Sequence, residues 1–236
     1  MRKNILITGL PKSGKTTLLK KVISDIPFRV GFVTNEILEE NKRVGFEVVT
    51  HLEHKAVLSH LDFKTPFKVA RYFVNVQNLE PLITEVFNFG DEDILYLDEV
   101  GQMQLFSEKF KGLVLKFLNS QNTCIMTVSE IFEDSFIEDI KKRDDIILVE
   151  ISVENRDGRT EFVRQLPRKI EKARNYINEP VRFVKQNDKI ILNSEHGTRT
   201  LILQNEGQWS CDCDFFKQYA ICSHSLATAE LYKNSI

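Results

Sequence analysis

A glycine-rich stretch near the amino terminus has the residue types and the spacing of a phosphate-binding loop. The segment GLPKSGKTTL places Gly9, Gly14, Lys15 and Thr16 in the pattern G-x-x-x-x-G-K-[ST]. In such a loop, glycines let main-chain N–H groups turn toward phosphate oxygens, the lysine reaches the β and γ phosphates, and the threonine hydroxyl binds Mg²⁺. We therefore expect these residues to bind a nucleotide: Gly9, Pro11, Lys12, Ser13, Gly14, Lys15, Thr16 and Thr17.

Two adjacent acids follow a strand-like apolar run in the segment ILYLDEVG. An acid at the end of a strand beside a phosphate loop completes a magnesium site, so Asp98 is expected to hold the ion together with Thr16. Glu99 has the chemistry to orient and polarise an attacking water, whereas small-molecule kinases transfer to a bound hydroxyl. The two adjacent acids therefore favour hydrolysis over transfer of the phosphoryl group to another substrate. The alternative for Glu99 is an acidic cap at the turn that begins at Val100.

Strands and helices alternate around these residues, which predicts an α/β fold. Apolar runs and helical spacing predict a strand at residues 4–8 and a helix at 15–23, the strand–loop–helix context that the motif requires. Further strands are predicted at 29–34, 44–49, 69–76, 93–99, 122–128 and 144–151, and helices near 107–119 and 133–142. The first three of these strands indicate an antiparallel or mixed insertion. The later ones predict a mainly parallel sheet covered on both faces.

Length and composition fit a soluble globular chain with one large domain, or one medium and one small. The chain has 236 residues, 42% of them hydrophobic, and a net charge of −2, which argues against wholesale coating of nucleic acid. No apolar run approaches the ~20 residues of a membrane span, and the amino-terminal run is too short for a signal peptide. We expect a cytoplasmic protein with no membrane partner.

A second motif near the carboxyl terminus has the chemistry of a metal site. Cys211, Cys213, Cys222 and His224 form the pattern C-x-C-x(8)-C-x-H. Three thiolates and one imidazole make a closed tetrahedral set for Zn²⁺, with no position free for a catalytic water. The ion would be structural, because a module this small buries little surface by itself. Three buried thiols near a histidine are the alternative.

Five segments together resemble the cancer-related nucleoside-triphosphatase family, a RecA-like P-loop group. They are GLPKSGKTTL, GFVTNEILEENKRVGFEVV, ARYFVNV, LDEVGQMQLFS and ENRD, and they cover about residues 1–160. The resemblance implies a three-layer domain that hydrolyses nucleoside triphosphates such as ATP and GTP with Mg²⁺ and loose base preference. It also implies catalytic roles for Lys15, Glu99 and Arg156. For Arg156 the alternative is a surface ion pair with Asp157 or Glu154.

Some positions depart from the family pattern. Lys12 stands where the family usually has a further glycine, Leu38 replaces an arginine, and Gln104 replaces a glutamate. The contacts that relatives make through the last two positions are therefore not predicted for this chain. Matching residues are Thr34, Glu36 and Arg43. Glu36 is a candidate supporting acid, that is, an acidic residue that supports the site without being one of its direct ligands.

The cysteine pattern and its flanks resemble the SWIM zinc finger. A strand-like run ends at Trp209, and SLATAELY after His224 has helical character, which fits a ββα-type module. Two hairpin-like strand pairs are predicted ahead of the cysteines. The resemblance implies that the module binds DNA, RNA or protein. Phe215, Phe216 and Tyr219, between the ligand pairs, are expected to be core residues.

The sequence thus predicts three parts and leaves three functions open. The parts are a P-loop NTPase domain at 1–160, a basic helical connector at 161–180 with prolines near its ends, and a SWIM-type zinc finger at 181–236. The first function is nucleoside-triphosphate hydrolysis with a partner bound by the finger. The alternatives are a nucleotide or polynucleotide kinase and a nucleotide-switched adaptor with negligible turnover.

Overall fold

The computed structural model describes residues 1–204 and 207–233. The chain divides into two units, one of Asn4–Glu161 and one of Met1–Lys3 with Phe162–Ile236.

The larger unit is built on a nine-stranded sheet with four helices of its own. Its strands are β1 (Asn4–Thr8), β2 (Arg29–Glu39), β3 (Lys42–Thr50), β4 (Lys55–His60), β5 (Phe67–Val69), β6 (Tyr72–Val74), β7 (Ile94–Val100), β8 (Cys124–Val128) and β9 (Ile146–Glu150). Its helices are α1 (Lys15–Ile23), α2 (Val76–Val86), α3 (Glu108–Asn119) and α4 (Ser135–Lys141), with a short 3₁₀ turn at Gln104–Phe106.

The sheet is mixed, so the expectation of a mainly parallel sheet was wrong. Its strand order is β5-β6-β4-β3-β2-β7-β8-β1-β9. The five strands from β2 to β9 pair in parallel, whereas β2 through β6 pair antiparallel. The physical reason is a hairpin: Glu40 and Asn41 both have positive φ, as a tight two-residue β-turn requires, and β3 returns along β2. The predicted insertion thereby extends the main sheet.

Both faces of the parallel half are covered, which confirms the predicted α/β architecture. All five residues of β1 are buried although successive side chains point to opposite faces. On α1 the buried residues recur at helical spacing, at Leu18, Leu19, Val22 and Ile23. Helix α2 was not predicted from the sequence. Its start is fixed by Asn75, whose side chain accepts from the N–H of Gln77.

Among its described residues, the smaller unit contains one antiparallel sheet, three α-helices and a 3₁₀ turn at Pro180–Arg182. A long helix, α5 (Arg156–Ile177), starts in the larger unit and continues into this one. It is followed by β10 (Phe183–Gln186), β11 (Lys189–Ser194), β12 (Gly197–Leu203), β13 (Trp209–Cys211), α6 (Asp214–Tyr219) and α7 (Ser223–Leu231). The strands pair in chain order. Both predicted hairpins are present, as β10–β11 and β12–β13. Because β11 and β12 also pair with each other, a four-stranded sheet stands where a ββα arrangement was expected.

Residues 162–177, expected to form part of a connector, are a helix with a buried apolar face. Fully or nearly buried side chains recur along it, at Phe162, Val163, Leu166, Ile170, Ala173 and Tyr176. The ring of Phe162 stacks on Tyr219 at 4.7 Å, while Tyr219 and Phe215 remain half-buried rather than core residues. Within the described ranges, no helix combines the length and apolar character needed to cross a bilayer.

Candidate active site and candidate metal centre

The glycine-rich loop joins β1 to α1 and needs glycine at two positions. Gly9 has φ +154°, and a Cβ there would lie 2.3 Å from the carbonyl oxygen of Ile151. Gly14 has φ +101° and caps the amino end of α1. Side chains at these positions would be strained or would clash. The loop therefore has the compact shape that directs main-chain N–H groups inward.

Lys15 lies under this loop. Its ammonium donates to the carbonyl oxygens of Gly9 at 2.8 Å and Leu10 at 3.2 Å, and the side chain is buried. Ser13 is also buried, and its hydroxyl has no hydrogen-bond partner within the described residues. The other predicted loop contacts, Pro11, Lys12 and Thr17, are exposed. Buried donors thus line the inside of the loop.

Asp98, at the carboxyl end of β7, lies next to Thr16. The Thr16 hydroxyl donates to Oδ1 of Asp98 at 3.0 Å, and Asp98 is 1% exposed. Burial raises the pKa of this carboxyl, although hydrogen bonds from Thr127 and Thr16 act in the opposite direction. The structure therefore brings together the two residues predicted to bind magnesium.

Glu99 lines a cavity of about 630 Å³ together with Thr16 and Asp98. Its carboxylate folds toward Gly101, where a Cβ would lie 2.6 Å from Oε1. Burial and the negative charge of Asp98 raise the pKa of Glu99, and the positive charge of Lys15 partly offsets the increase. A carboxyl with a raised pKa beside a cavity is well suited to accept a proton.

Hydrogen-bond donors that the motifs did not assign hold Asp98 in place. The hydroxyl of Thr34 donates to the Asp98 main-chain oxygen at 2.6 Å, and the Gln104 amide donates to Thr34 Oγ1 at 3.1 Å. Thr127 on β8 donates to Oδ1 of Asp98 at 2.5 Å. The only sequence signal for Thr127 is a polar residue within a strand that is otherwise apolar.

The candidate supporting acid Glu36 pairs with Arg43. Its Oε1 lies 2.5 Å from Nη1 of Arg43, and the residue is exposed at the wall of the same cavity. Leu38 is 59% exposed. Glu36 is thus engaged with Arg43 and makes no hydrogen bond to Asp98 or Glu99 within the described residues.

Arg156, the first residue of α5, packs against the phosphate loop. A Cβ on Gly14 would lie 3.3 Å from its Cδ and 3.6 Å from Nη1. The side chain is exposed, and across the described part of the chain it forms no ion pair with Glu154 or Asp157. Its guanidinium is therefore free to meet an anion held by the loop.

Cys211, Cys213, Cys222 and His224 form one buried cluster whose ligand atoms all lie within 4.8 Å of one another. Nδ1 of His224 lies 3.6 Å from Sγ of Cys211 and 3.8 Å from Sγ of Cys222. The Cys222 sulfur also accepts the N–H of Ser225 at 3.3 Å. Hydrogen bonds from Cys211 and Cys222 lower the pKa of the Cys213 thiol.

Comparison with known proteins covers the first two thirds of the chain. The model of a family described as NTPase matches residues 4–165. The nucleoside-triphosphatase THEP1 of Thermotoga sp. (strain RQ2) is 36% identical over 156 residues, which are 65% of this chain and 89% of that protein. The cancer-related nucleoside-triphosphatase homolog of Mus musculus is 31% identical over 177 residues, 67% of this chain and 93% of that protein.

Two solved structures of nucleoside-triphosphatases are also similar to this chain. The crystal structure of THEP1 from the hyperthermophile Aquifex aeolicus matches with a TM-score of 0.63 and 31% identity, over 70% of this chain and 98% of that one. The solution structure of a human cancer-related nucleoside triphosphatase matches with a TM-score of 0.60 and 27% identity, over 68% and 95%. The loop geometry, the match to the family model and these relatives show that the chain belongs to the NTPase family, the nucleoside-triphosphatases.

Proposed function

We propose that this chain hydrolyses nucleoside triphosphates to the diphosphate and inorganic phosphate in a magnesium-dependent reaction. Relatives that are 31–36% identical are named nucleoside-triphosphatases. The observation that supports the proposal most strongly is that Thr16, Asp98 and Glu99 line one cavity, while Lys15, whose charge acts on Glu99, lies in the phosphate loop. Each has the chemistry for one part of phosphoryl transfer to water.

The phosphates are bound by loop N–H groups and by Lys15, whose ammonium would exchange its carbonyl partners for β- and γ-phosphate oxygens. Thr16 and Asp98 are the residues that would hold Mg²⁺. The fit is chemical: a hydroxyl and a carboxylate already lie 3.0 Å apart, and hard oxygen donors suit this ion. When bound, the ion neutralises charge that develops on the phosphates.

Glu99 is the proposed general base. It orients a water in the cavity and accepts its proton as the water oxygen bonds to the γ-phosphorus. The bond between that phosphorus and the β,γ-bridging oxygen breaks, and the nucleoside diphosphate leaves. Arg156, beside Gly14, is positioned to stabilise negative charge on the phosphates.

Product identity tests this proposal. Full-length protein with γ-labelled ATP and Mg²⁺ is expected to release label as free phosphate, with no label on an added nucleoside or polynucleotide. Label on an acceptor would instead indicate a kinase. Very slow turnover that Glu99→Gln does not change would indicate a nucleotide-switched adaptor.

For the smaller unit we propose a structural Zn²⁺ held by Cys211, Cys213, Cys222 and His224, as in a SWIM-type finger. Tetrahedral geometry with Zn–S of about 2.3 Å and Zn–N of about 2.05 Å puts sulfur and nitrogen about 3.6 Å apart. The 3.6 Å and 3.8 Å separations match this value. The donor set therefore fits zinc.

We further propose that this unit binds DNA, RNA or protein while residues 4–161 carry out hydrolysis. Residues 1–3 and 162–236 have thirteen basic and eight acidic side chains, whereas residues 4–161 have nineteen and twenty-six. The opposite net charges, +5 and −7, favour a polyanionic partner for the smaller unit. Binding of a single-stranded oligonucleotide to the zinc-loaded full chain tests for a polyanionic partner. The affinity is expected to fall steeply as salt is added.

A further inference from the structure

The loop that follows β9 lies directly beside the phosphate loop. The N–H of Ile151 donates to the carbonyl of Thr8 at 2.9 Å, and the Ile151 carbonyl occupies the space that a side chain on Gly9 would need. Oδ1 of Asn155 accepts the N–H of Ser152 at 2.9 Å, which closes residues 152–155 into a turn. The two loops therefore form adjoining walls.

Between these walls lies a second cavity, of about 410 Å³. Two large apolar side chains face solvent around it, Leu10 at 57% exposed and Val153 at 59% exposed. Three carboxylates line it as well: Glu130, Glu150 and Glu154. Carboxylates repel phosphate, so the cavity does not suit the charged end of a nucleotide. Apolar side chains with hydrogen-bond acceptors suit a flat ring that carries N–H donors.

The sheet order indicates which end of the nucleotide reaches this cavity. Strand β7, which carries Asp98, and strand β9 lie on opposite sides of β1 in the order β7-β8-β1-β9. With the γ-phosphate directed toward Thr16 and Asp98, the nucleoside at the other end of the triphosphate points away from β7, toward the loop after β9. The 410 Å³ cavity lies on that side.

We propose that this cavity binds the nucleobase and selects bases that carry an exocyclic amino group. The inference rests on the proposed binding and hydrolysis of nucleoside triphosphates. An ionised carboxylate only accepts hydrogen bonds. The amino groups of adenine, cytosine and guanine donate, whereas uracil has carbonyl oxygens at the corresponding positions. Leu10 and Val153 contact the faces of the ring.

A hydrogen bond with Ser152 lowers the pKa of Glu154, so this carboxylate is ionised at neutral pH. Glu150 is the last residue of β9, where it pairs in register with Thr8, and it is exposed. Glu150 precedes the turn at 152–155 and Glu154 lies within it, so these two acids are the first choice for substitution. Glutamine at both positions keeps the shape but replaces a charged acceptor by a weaker neutral one.

Two matched pairs of substrates test the amino group. GTP and ITP differ only by the 2-amino group, whereas CTP and UTP differ by the 4-amino group and by the proton that UTP carries on N3. We expect kcat/KM, from phosphate release, to be about tenfold higher for CTP than UTP and for GTP than ITP, since one charged hydrogen bond is worth about that factor. In the double variant Glu150→Gln/Glu154→Gln, both ratios are expected to fall at least threefold.

The test depends on the ratio of kcat/KM values within each substrate pair, and not on the rate with any single nucleotide. Loss of two negative charges near a triphosphate strengthens binding of all nucleotides alike and leaves each ratio unchanged. Glu92→Gln is the matched control, because Glu92 is an exposed acid that precedes the amino end of β7, whereas Glu150 and Glu154 lie at or after the carboxyl end of the parallel strand β9. This variant is expected to keep both ratios at the wild-type value.

Dissociation constants of the same nucleotides with Mg²⁺, measured by calorimetry, are expected to give the same ratios. This readout tests the inference even in a chain that releases no phosphate, which would contradict the proposed hydrolysis alone. Equal affinities within both pairs for the wild type, or ratios that the double variant leaves unchanged, would overturn the assignment of the cavity.

Discussion

The hydroxyl of Thr127 lies 2.5 Å from Oδ1 of Asp98, the same oxygen to which Thr16 donates at 3.0 Å. One donor comes from β8 and the other from α1, so the carboxylate is held between two elements that flank β7. A buried carboxylate needs such donors to remain ionised. Its orientation toward the phosphate loop therefore depends on a residue outside the recognised motifs.

Thr127→Val is expected to lower magnesium-dependent hydrolysis about tenfold. The substitution keeps the side-chain shape but removes one hydrogen bond to a charged group, worth about 1.5–3 kcal/mol. It also raises the pKa of Asp98 further, so the loss should be larger at pH 6 than at pH 8. Steady-state phosphate release across magnesium concentrations measures the effect. Thr127→Ser retains the hydroxyl, and an equal loss in that variant would contradict the explanation.

Lys15→Ala is expected to abolish nucleotide binding and hydrolysis while the larger unit remains folded. The ammonium bonds only to the loop carbonyls of Gly9 and Leu10 in the described structure, so its removal leaves the sheet intact. Calorimetry with an ATP analogue and Mg²⁺ measures binding, and circular dichroism checks the fold. Near-normal turnover in this variant would refute the assignment of the loop.

Glu99→Gln is expected to reduce kcat about 10²- to 10³-fold with little change in KM, because a general base acts in the transition state. Glutamine fills the same space but cannot accept the proton. Single-turnover phosphate release separates this chemical step from binding. If Glu99 only caps the turn after β7, the variant should keep kcat and lose thermal stability instead.

The same variant makes a separate prediction about stability. Burial and Asp98 raise the pKa of Glu99 in the folded state, so the ionised side chain is destabilising at neutral pH. Without nucleotide and magnesium, Glu99→Gln should raise the Tm of the larger unit at pH 7.5 by a few degrees. The difference should shrink as pH falls and disappear below about 4, where Glu99 becomes protonated in the unfolded state as well. Calorimetric scans at several pH values test the sign.

Cys213→Ser is expected to release zinc and unfold the smaller unit only. Zinc binding contributes on the order of 10 kcal/mol to modules of this kind. Metal analysis should give one zinc per wild-type chain and none in the variant, and a strong chelator should have the same effect on the wild type. Nucleotide binding by residues 4–161 is expected to persist. Loss of all nucleotide binding in the variant would contradict independent units.

Motifs made of residues close together in the sequence could be recognised from the sequence, because their chemistry depends on neighbouring residues. The loop from Gly9 to Thr16, the pair Asp98–Glu99 and the spacing of Cys211, Cys213, Cys222 and His224 are each short segments whose function depends on residue type and separation. Strand 4–8 and helix 15–23 were predicted with the bounds that the structure has, because a buried strand and an amphipathic helix have distinct periodicities.

Relations between distant segments could not be read in this way. Nothing in the sequence near Thr127 indicates that β8 would lie beside β7, and nothing near Val153 indicates that its loop would adjoin the phosphate loop. The antiparallel half of the sheet was likewise set by which edge of β2 remained free for pairing. The sequence alone was enough to predict which residues bind phosphate and metal. Only the tertiary structure decided which donors hold Asp98 and which side chains surround the second cavity, because both depend on strand order and close backbone approach.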